Sequence, residues 1–232
     1  MTKKVCLITG VGPGTGTALV RRFAEGYAVA MIARNAERLS LLEKEVPGAR
    51  AFPCDVTDEP ALTSTLDQIQ QQMGSPSVAI HNAVAGAFGD FQTIDPAVLR
   101  RNFEINTMAL LHLARSVAPS MIEAGEGAIL ITGNTSTYRG KADFAGFAPS
   151  KAAQRILGES MARSLGPQGV HVAYLAIDAV IDLPWTRKML PDKPDSFFCR
   201  PDDIAGECWH LVHQPRSAWT FDVTIRPDCE PW

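Results

Sequence analysis

A glycine-rich segment near the amino terminus has the composition and spacing of a phosphate-binding turn. Residues 9–16 read Thr-Gly-Val-Gly-Pro-Gly-Thr-Gly and follow a short apolar run. Glycine lets the backbone turn tightly and approach a phosphate without a Cβ in the way. A helix that begins after the turn adds free N–H groups and a partial positive charge. The alternative is a strand–helix turn that is merely rich in glycine. We predict that the pyrophosphate of a dinucleotide is bound by Gly10, Gly12, Gly14, Thr15 and Gly16.

The order of apolar and amphipathic segments predicts the elements that position this turn. Short runs that are apolar throughout are typical of strands covered on both faces. They occur at Val5–Thr9, Tyr27–Ala33, Ala49–Pro53, Ser77–His81, Ala128–Thr132, His171–Ile177 and Trp219–Ile225. Helices are predicted between them over Thr15–Glu25, Ala36–Val46, Asp58–Met73, Asp95 to about Gly125, Phe147–Leu165 and Pro201–His213.

This alternation predicts an α/β fold with a Rossmann-type, doubly wound sheet. Seven parallel strands would be joined by right-handed crossovers, with helices on both faces of the sheet. Because the chain has no long linker and no internal repeat, we expect residues 1–232 to form a single domain. The segment 182–200 is proline-rich and has no clear period. Long irregular segments are often functional, so we predict a substrate lid there, over the carboxyl ends of the strands.

Composition excludes several classes of function. A net charge of −3 gives no basic surface for nucleic acid. No apolar run reaches the roughly 18 residues that a membrane span needs. The five cysteines are odd in number and show no C-x-x-C spacing, which indicates free thiols and no metal site. We therefore expect a cytoplasmic protein with a small-molecule substrate and with neither nucleic acid nor membrane as a partner.

Five motifs, in order along the chain, resemble those of the short-chain dehydrogenase/reductase family. The glycine turn has the spacing T-G-x-x-x-G-x-G, and the other four motifs are Asp55-Val56, Asn82-Ala83, Asn106 and the stretch 147–151. Each motif alone is a weak signal, but their order covers nearly the whole chain. The resemblance implies an NAD(P)-dependent oxidoreductase acting on a carbonyl or an alcohol. It places Asp55, Val56, Asn82 and Ala83 beside the cofactor.

The residue at the end of the second predicted strand indicates which nicotinamide cofactor is bound. Enzymes of this kind that use NAD usually carry an acidic residue there, which binds the ribose 2′-hydroxyl. Here the strand ends in Ala33-Arg34-Asn35, with no acid before Glu37. The Arg34 guanidinium could pair with a 2′-phosphate, although a solvated arginine at a helix start is the alternative. We predict NADP(H) in preference to NAD(H).

The resemblance also assigns catalytic positions, and this chain departs from the family at one of them. The family uses a Tyr as acid or base and a Lys four residues later, which also holds the nicotinamide ribose. Lys151 matches that Lys, and Asn106 matches the Asn that completes a water relay to it. Phe147 stands where the Tyr is expected, and a phenyl ring has no titratable proton. Asn134 falls on the position of the family's carbonyl-orienting Ser, with Ser136 close by.

Three interpretations of this departure remain open. The protein is a reductase that takes its proton from Tyr138, Lys151 or an ordered water, or it is a specialised member of low activity. In the third interpretation it binds the cofactor without turnover, as a sensor or scaffold. Tyr138 lies in a loop that could approach the nicotinamide or could equally pack against the lid. We predict catalytic roles for Lys151, Asn106, Asn134, Ser136 and Tyr138.

The two helices predicted around residues 95–125 and 147–165 are apolar on more than one face, which predicts that they are buried. In proteins of the family the equivalent helices form the main subunit interface. The resemblance therefore implies a homodimer or a homotetramer.

Overall fold

The computed structural model describes residues 3–230. Nine strands occur in this part of the chain: β1 Val5–Thr9, β2 Ala28–Ala33, β3 Ala49–Pro53, β4 Pro76–His81, β5 Gly127–Asn134, β6 Val170–Ile177, β7 Val180–Ile181, β8 Phe198–Cys199 and β9 Asp222–Ile225. Seven of them form one parallel sheet in the order β3-β2-β1-β4-β5-β6-β9, and β7 pairs with β8 alone. The predicted Rossmann-type fold with a seven-stranded parallel sheet is confirmed.

Eight α-helices connect the described strands. They are α1 Thr15–Ala24, α2 Ala36–Glu45, α3 Glu59–Met73, α4 Pro96–Phe103, α5 Ala109–Ala124, α6 Ala148–Leu165, α7 Pro184–Met189 and α8 Pro201–Val212. The sheet has an apolar core on each face. One core contains side chains of α3 and α5, such as Leu66 and Leu113. The other contains side chains of α1, α2 and α8, such as Phe23, Leu42 and Leu211. Strands buried on both faces explain why most of the predicted strands are apolar throughout.

The direction of winding reverses at β1, which pairs with β2 on one side and with β4 on the other. The connections that leave β1 and β4 therefore run to opposite faces of the sheet, which opens a crevice at the carboxyl ends of these strands. The glycine-rich turn leaves β1 at this point. Topology thus places the turn at the ligand-binding edge of the sheet.

The prediction of one continuous helix from Asp95 to about Gly125 is wrong, because the helix is interrupted in its middle. A π-helical turn over Glu104–Met108 separates α4 from α5. At this turn the backbone carbonyl of Asn106 accepts a hydrogen bond from Gln154 Nε2 at 2.7 Å. The side chain of α6 thus enters the hydrogen-bond ladder of its neighbour, which is one of the established causes of a local break in a helix. Such π turns are frequent at functional sites.

The segment 182–200 is more regular than its lack of periodicity predicts. It contains α7, which begins at Pro184, and the short strand β8. Arg187 binds the carboxylates of Asp182 at 2.7 Å and Asp195 at 2.5 Å. Proline at the first position of a helix is favourable, so the prolines that suggested an irregular segment include one that begins a helix.

The last strand begins three residues later than predicted. Residues 216–218 form a 3₁₀ turn, and β9 begins only at Asp222. Trp219, where the predicted strand began, instead stacks on His171, with ring centroids 4.9 Å apart and planes 4° apart. The apolar Trp219 therefore looked like part of a buried strand in the sequence. It is apolar because its ring packs on His171 of β6.

The core between α1 and α8 generates a stability prediction. Phe23 is fully buried and packs edge-on against Trp209, with ring centroids 5.3 Å apart. We expect Phe23→Ala to lower the free energy of unfolding by about 3–5 kcal/mol, because it removes a buried ring and leaves a cavity. The measurement is urea denaturation. Phe91→Ala is the matched control: Phe91 is 80% exposed and its loss should change stability by less than about 0.5 kcal/mol. Equal effects of the two substitutions would contradict the packing described here.

Candidate functional site

A cavity of about 990 Å³ lies at the carboxyl ends of β1 to β5. Its volume is at the upper end of the range of small-molecule sites. All of the residues predicted to bind the cofactor line it: Gly10, Gly12, Gly14, Thr15, Gly16, Arg34, Asp55, Val56, Asn82, Ala83 and Lys151. The structure therefore brings together positions that are up to 141 residues apart in the sequence, from Gly10 to Lys151.

The glycine turn is packed so closely that side chains are excluded at two of its positions. Gly10 has φ +71°, and a Cβ there would lie 2.5 Å from backbone atoms of Ala83. A Cβ at Gly16 would lie 2.7 Å from the carbonyl oxygen of Gly10. Asn82 Nδ2 donates a hydrogen bond to that same oxygen at 2.9 Å. The ends of β1 and β4 thus hold the turn in one conformation.

The start of α1 has the properties of an anion site. No side chain caps this helix, and its first turn contains no acidic residue. The Thr17 amide donates a hydrogen bond to the Gly12 carbonyl at 3.0 Å, and the Ala18 amide donates one to the Gly14 carbonyl at 3.1 Å. The first amides of a helix otherwise have no intrahelical partner and carry partial positive charge. This start of α1 and the close-packed glycines fit a dinucleotide pyrophosphate.

Two arginines lie at the end of the cavity beyond β2. Arg34 and Arg38 both line it, and neither lies within 4.0 Å of a carboxylate in the part of the chain that the structure describes. Asn35 between them caps α2 by accepting a hydrogen bond from the Arg38 amide at 2.8 Å. The sequence analysis missed Arg38. Arg38 could have been found from the helix-capping residue Asn35, because that cap places the first turn of α2, which contains Arg38, beside the end of β2.

Asp55 is held as a carboxylate at the same end of the cavity. Burial opposes its ionisation, but hydrogen bonds from the amide and the hydroxyl of Thr57, at 3.1 and 2.9 Å, favour the charged form. The nearby charges of Arg34 and Arg101 act in the same direction, and together these groups lower the pKa of Asp55. The carboxylate orders the loop after β3, and Val56 next to it adds an apolar wall to the cavity.

Lys151 lies at the other end of the cavity and is almost completely buried. Its Nζ donates hydrogen bonds to the carbonyl of Thr132 at 3.2 Å and to Gln154 Oε1 at 2.5 Å. Burial lowers the pKa of Lys151 to about 7, because a charged ammonium loses its hydration inside the protein. Lys151 is therefore a group that can gain or lose a proton near neutral pH.

Asn106 is connected to Lys151 through Gln154. Gln154 Nε2 donates to the Asn106 carbonyl at the π turn, while its Oε1 accepts from Lys151. The Asn106 side chain does not line the cavity. Its amide nitrogen donates to the carbonyl of Ala85 at 2.8 Å and to Ser150 Oγ at 2.9 Å. The sequence analysis missed Gln154, whose signal was a polar side chain three residues after Lys151 on the same buried face of α6.

Asn134 and Phe147 form the wall beside Lys151. Phe147 packs its ring against Gly86, where a Cβ would lie 3.1 Å from the ring. Asn134 Oδ1 accepts a hydrogen bond from the Ser136 amide at 3.2 Å. The carboxamide of Asn134 thus has its oxygen engaged, and its nitrogen is the group that can donate to a ligand.

Besides Asn106, two more of the residues predicted to be catalytic lie outside this cavity. Ser136 lines a second, adjoining cavity and not the first. Tyr138 lines neither of these two cavities: its hydroxyl donates to the carboxylate of Asp222, and its ring lies 5.3 Å from the Arg155 guanidinium. Tyr138 is therefore held by Asp222 of β9 and Arg155 of α6 and does not line the cavity that contains Lys151.

Comparison with known families identifies the class of protein. A family model described as short chain dehydrogenase matches residues 4–184, which is more than half of the chain. The chain belongs to this family, and the predicted family is confirmed. Membership places it among the NAD(P)-dependent oxidoreductases.

Individual proteins are similar over nearly the whole chain. The 7alpha-hydroxysteroid dehydrogenase of Escherichia coli K12 is 30% identical over 229 residues, which are 93% of this chain and 89% of that protein. A metagenomic short-chain oxidoreductase solved with NADP has 27% identity and a TM-score of 0.84, and covers 97% of both chains. An NAD⁺-bound xylitol dehydrogenase has 25% identity and a TM-score of 0.88, and covers 97% of this chain and 98% of its own.

Two further findings concern membrane spans and metal sites. Across residues 3–230, no helix is long and apolar enough to cross a membrane. Within the same residues, no three His, Cys, Asp or Glu side chains are grouped so that they could hold a metal ion.

The lowered pKa of Lys151 generates a prediction on stability. The folded value of about 7 lies below the ordinary value of 10.5, so the unfolded chain binds more protons between these limits. Stability therefore rises with pH through this window, by roughly 1 kcal/mol per pH unit. We expect Lys151→Met to lose this rise, as measured by urea denaturation at pH 7, 8 and 9. The exposed Lys44→Met is the control that keeps it. Parallel pH profiles for the wild type and Lys151→Met would show that the buried amine does not titrate there.

Proposed function

We propose that the protein is an NADP(H)-dependent oxidoreductase that interconverts a carbonyl and an alcohol. The observation that carries this proposal is that the glycine turn, the two arginines beyond β2 and the buried Lys151 line one continuous cavity. When bound, NADP(H) supplies or accepts the hydride at the reacting carbon. We propose as its binding residues Gly10, Gly12, Gly14, Thr15, Gly16, Arg34, Arg38, Asp55, Val56, Asn82, Ala83 and Lys151.

The preference for NADP(H) rests on charge at the end of β2. Arg34 and Arg38 line the cavity without a carboxylate partner within 4.0 Å among residues 3–230. Two such guanidinium groups suit a 2′-phosphate, which they can bind through charge-assisted hydrogen bonds. An acidic residue that would bind a free 2′-hydroxyl is missing at Asn35.

The proton on the substrate oxygen is proposed to come from Lys151. Phe147 stands at the position of the family's Tyr and cannot supply it, and Tyr138 is bound to Asp222 outside the cavity. Lys151 faces the cavity beside Asn134, and its two acceptors, Thr132 and Gln154, occupy two of its three N–H donors. In the reductive direction the carbonyl oxygen gains this proton as its carbon gains the hydride. Asn134 orients the carbonyl by donating a hydrogen bond.

Residues 182–200 are proposed to act as a lid of this single-domain protein. Leu183 and Trp185 line the cavity, and a Cβ at Gly14 would lie 2.1 Å from Leu183 Cδ2. The start of α7 therefore lies directly over the glycine turn. A cytoplasmic homo-oligomer remains our expectation, with α6, on which Ile156 is exposed, as one of the two helices expected at the subunit interface.

The preference for NADP(H) is tested by cofactor binding. We expect Arg34→Ala/Arg38→Ala to weaken NADPH binding by at least about 100-fold, because charge-assisted hydrogen bonds contribute about 1.5–3 kcal/mol each. NADH, which lacks the 2′-phosphate, should bind the variant and the wild type within a factor of three. Binding is followed by fluorescence titration. Arg50→Ala, an exposed arginine on β3 outside the cavity, is the control that leaves both affinities unchanged. An equal loss for the two cofactors would refute the proposed 2′-phosphate contact.

Turnover and its pH profile test the proposed proton donor. We expect NADPH oxidation with ketones, aldehydes and ketosteroids to fall as pH rises through about 7, the pKa of Lys151, because the ammonium form is the acid. Alcohol oxidation should rise over the same range. Lys151→Met should lose at least 100-fold in kcat, and Tyr138→Phe should keep the wild-type rate. Phe147→Tyr should add a second proton donor and make the profile flatter.

The alternative, a cofactor-binding protein without turnover, predicts a different set of results. NADPH would bind, the wild type would oxidise it with none of the substrates, and only Phe147→Tyr would show activity. That outcome would replace the proposal by a sensor or scaffold role. Absence of NADPH binding in the wild type would overturn both.

A further inference from the structure

The second cavity has a volume of about 710 Å³ and adjoins the first on the side of Lys151. The two share the walls formed by Asn134, Phe147, Ile177 and Ala179. A molecule in the second cavity therefore reaches the residues that border the proposed hydride-transfer position. This makes it the place for the substrate, if the proposed function is correct.

One property of this cavity is an aromatic wall. Phe88, Phe144, Phe147 and Phe197 all line it. The rings of Phe88 and Phe144 meet edge to face, with centroids 5.3 Å apart. Phe88 is 75% exposed, which is unusual for a large apolar side chain and marks a binding surface when such residues occur together. The wall suits a flat, apolar body that stacks on the rings.

The second property is unbalanced positive charge. Arg139, Lys141 and Lys193 line the same cavity. The ammonium of Lys141 lies 5.6 Å from the Phe144 ring centroid, and that of Lys193 lies 4.7 Å from the Phe197 ring centroid. Among the ion pairs of residues 3–230, neither lysine has a carboxylate within 4.0 Å. Both cations are thus held over aromatic rings, where they can attract an anion.

The acidic residues of the cavity do not cancel this charge. Asp178 accepts a hydrogen bond from Thr135 Oγ1 at 2.5 Å and lies 3.7 Å from Arg226. Arg139 is more distant from it, at 4.0 Å, and is largely exposed. Asp178 therefore has a closer and more buried cationic partner in Arg226, and the exposed Arg139 guanidinium pairs with it only at the limit of ion-pair distance. The remaining acid that lines the cavity is Glu230.

We propose that the substrate is a carbonyl or alcohol compound with a flat apolar body and an anionic oxygen group, such as a carboxylate or a phosphate. The apolar body lies on the phenylalanine wall, with the reacting carbon at Asn134. The anionic group lies at the other end of the cavity and pairs with Lys141, Lys193 and Arg139. This inference rests on the proposed function, because the substrate is assumed to undergo that reaction. The residues that recognise the anionic group, Lys141, Lys193 and Arg139, are separate from those proposed for the reaction.

The test compares charged and neutral forms of one ketone. The probes are 6-acetyl-2-naphthoate, its neutral methyl ester and 6-acetyl-2-naphthyl phosphate, each titrated calorimetrically into the protein saturated with NADP⁺. We expect at least one anion to bind tenfold or more tightly than the ester, and its Kd to rise with salt concentration. The anion that binds more tightly identifies the oxygen group.

Substitutions then locate the recognition. Lys141→Gln/Lys193→Gln should weaken binding of the preferred anion about tenfold and leave the affinity for the ester unchanged. The control variant Lys44→Gln/Arg50→Gln also removes two positive charges, but from exposed positions outside both cavities. It should change neither the affinity for the anion nor the affinity for the ester. An ester that binds as tightly as both anions, or a preference that survives the Lys141/Lys193 substitutions, overturns the inference.

NADPH oxidation by the same probes separates this inference from the proposed function. Tight binding of the anion without turnover contradicts the proposed function and leaves the recognition site intact. Turnover of the ester and the anions with equal KM contradicts the recognition site and leaves the proposed function intact.

Discussion

The close approach of the first turn to the end of β4 is the constraint on which the rest of the site depends. Gly10 lies where any Cβ would overlap the backbone of Ala83, and Asn82 binds the Gly10 carbonyl. The ends of β1 and β4 lie side by side because the strand order reverses here: β2 pairs with β1 on one side, and β4 pairs with β1 on the other. The same contact aims α1 at the crevice, so that the uncapped first turn of this helix borders the cavity. A crevice and a turn that suit a dinucleotide are thus a consequence of backbone packing, before any side chain is considered.

A second set of contacts fixes the end of the cavity that contains Lys151. Lys151 is buried at the start of α6, and Gln154 links it to the backbone of Asn106. Burial disfavours the charged form of the Lys151 amine. Its hydrogen bonds to the oxygens of Thr132 and Gln154 therefore hold the amine in place. The Asn106 carbonyl that completes this link is available because α4 and α5 are separated by a π turn. An irregularity in one helix therefore supports a titratable group on another.

Much of this arrangement could be predicted from the sequence, because it depends on local patterns. The strands buried on both faces, the glycine spacing and the position of Lys151 are all visible as residue types at fixed separations. What could not be predicted depends on contacts between distant elements. The π turn requires Gln154 to reach across from α6, and Tyr138 is drawn away from the cavity by Asp222, which is 84 residues later. The helix at Pro184 was missed because prolines mark both irregular segments and helix starts.

The two ends of the cavity differ in how strongly the fold constrains them. At the pyrophosphate end a single added methyl group overlaps backbone atoms, so the residue type is dictated by packing. At the other end Phe147 fills the space beside Gly86 with an apolar ring, and this contact needs no polar group at residue 147. The fold therefore accepts an apolar ring at Phe147, although it does not accept a Cβ at Gly10. If the proposed function is correct, the residues proposed to decide the reaction and the substrate, Phe147, Asn134, Lys141 and Lys193, can therefore change while the glycine turn stays the same.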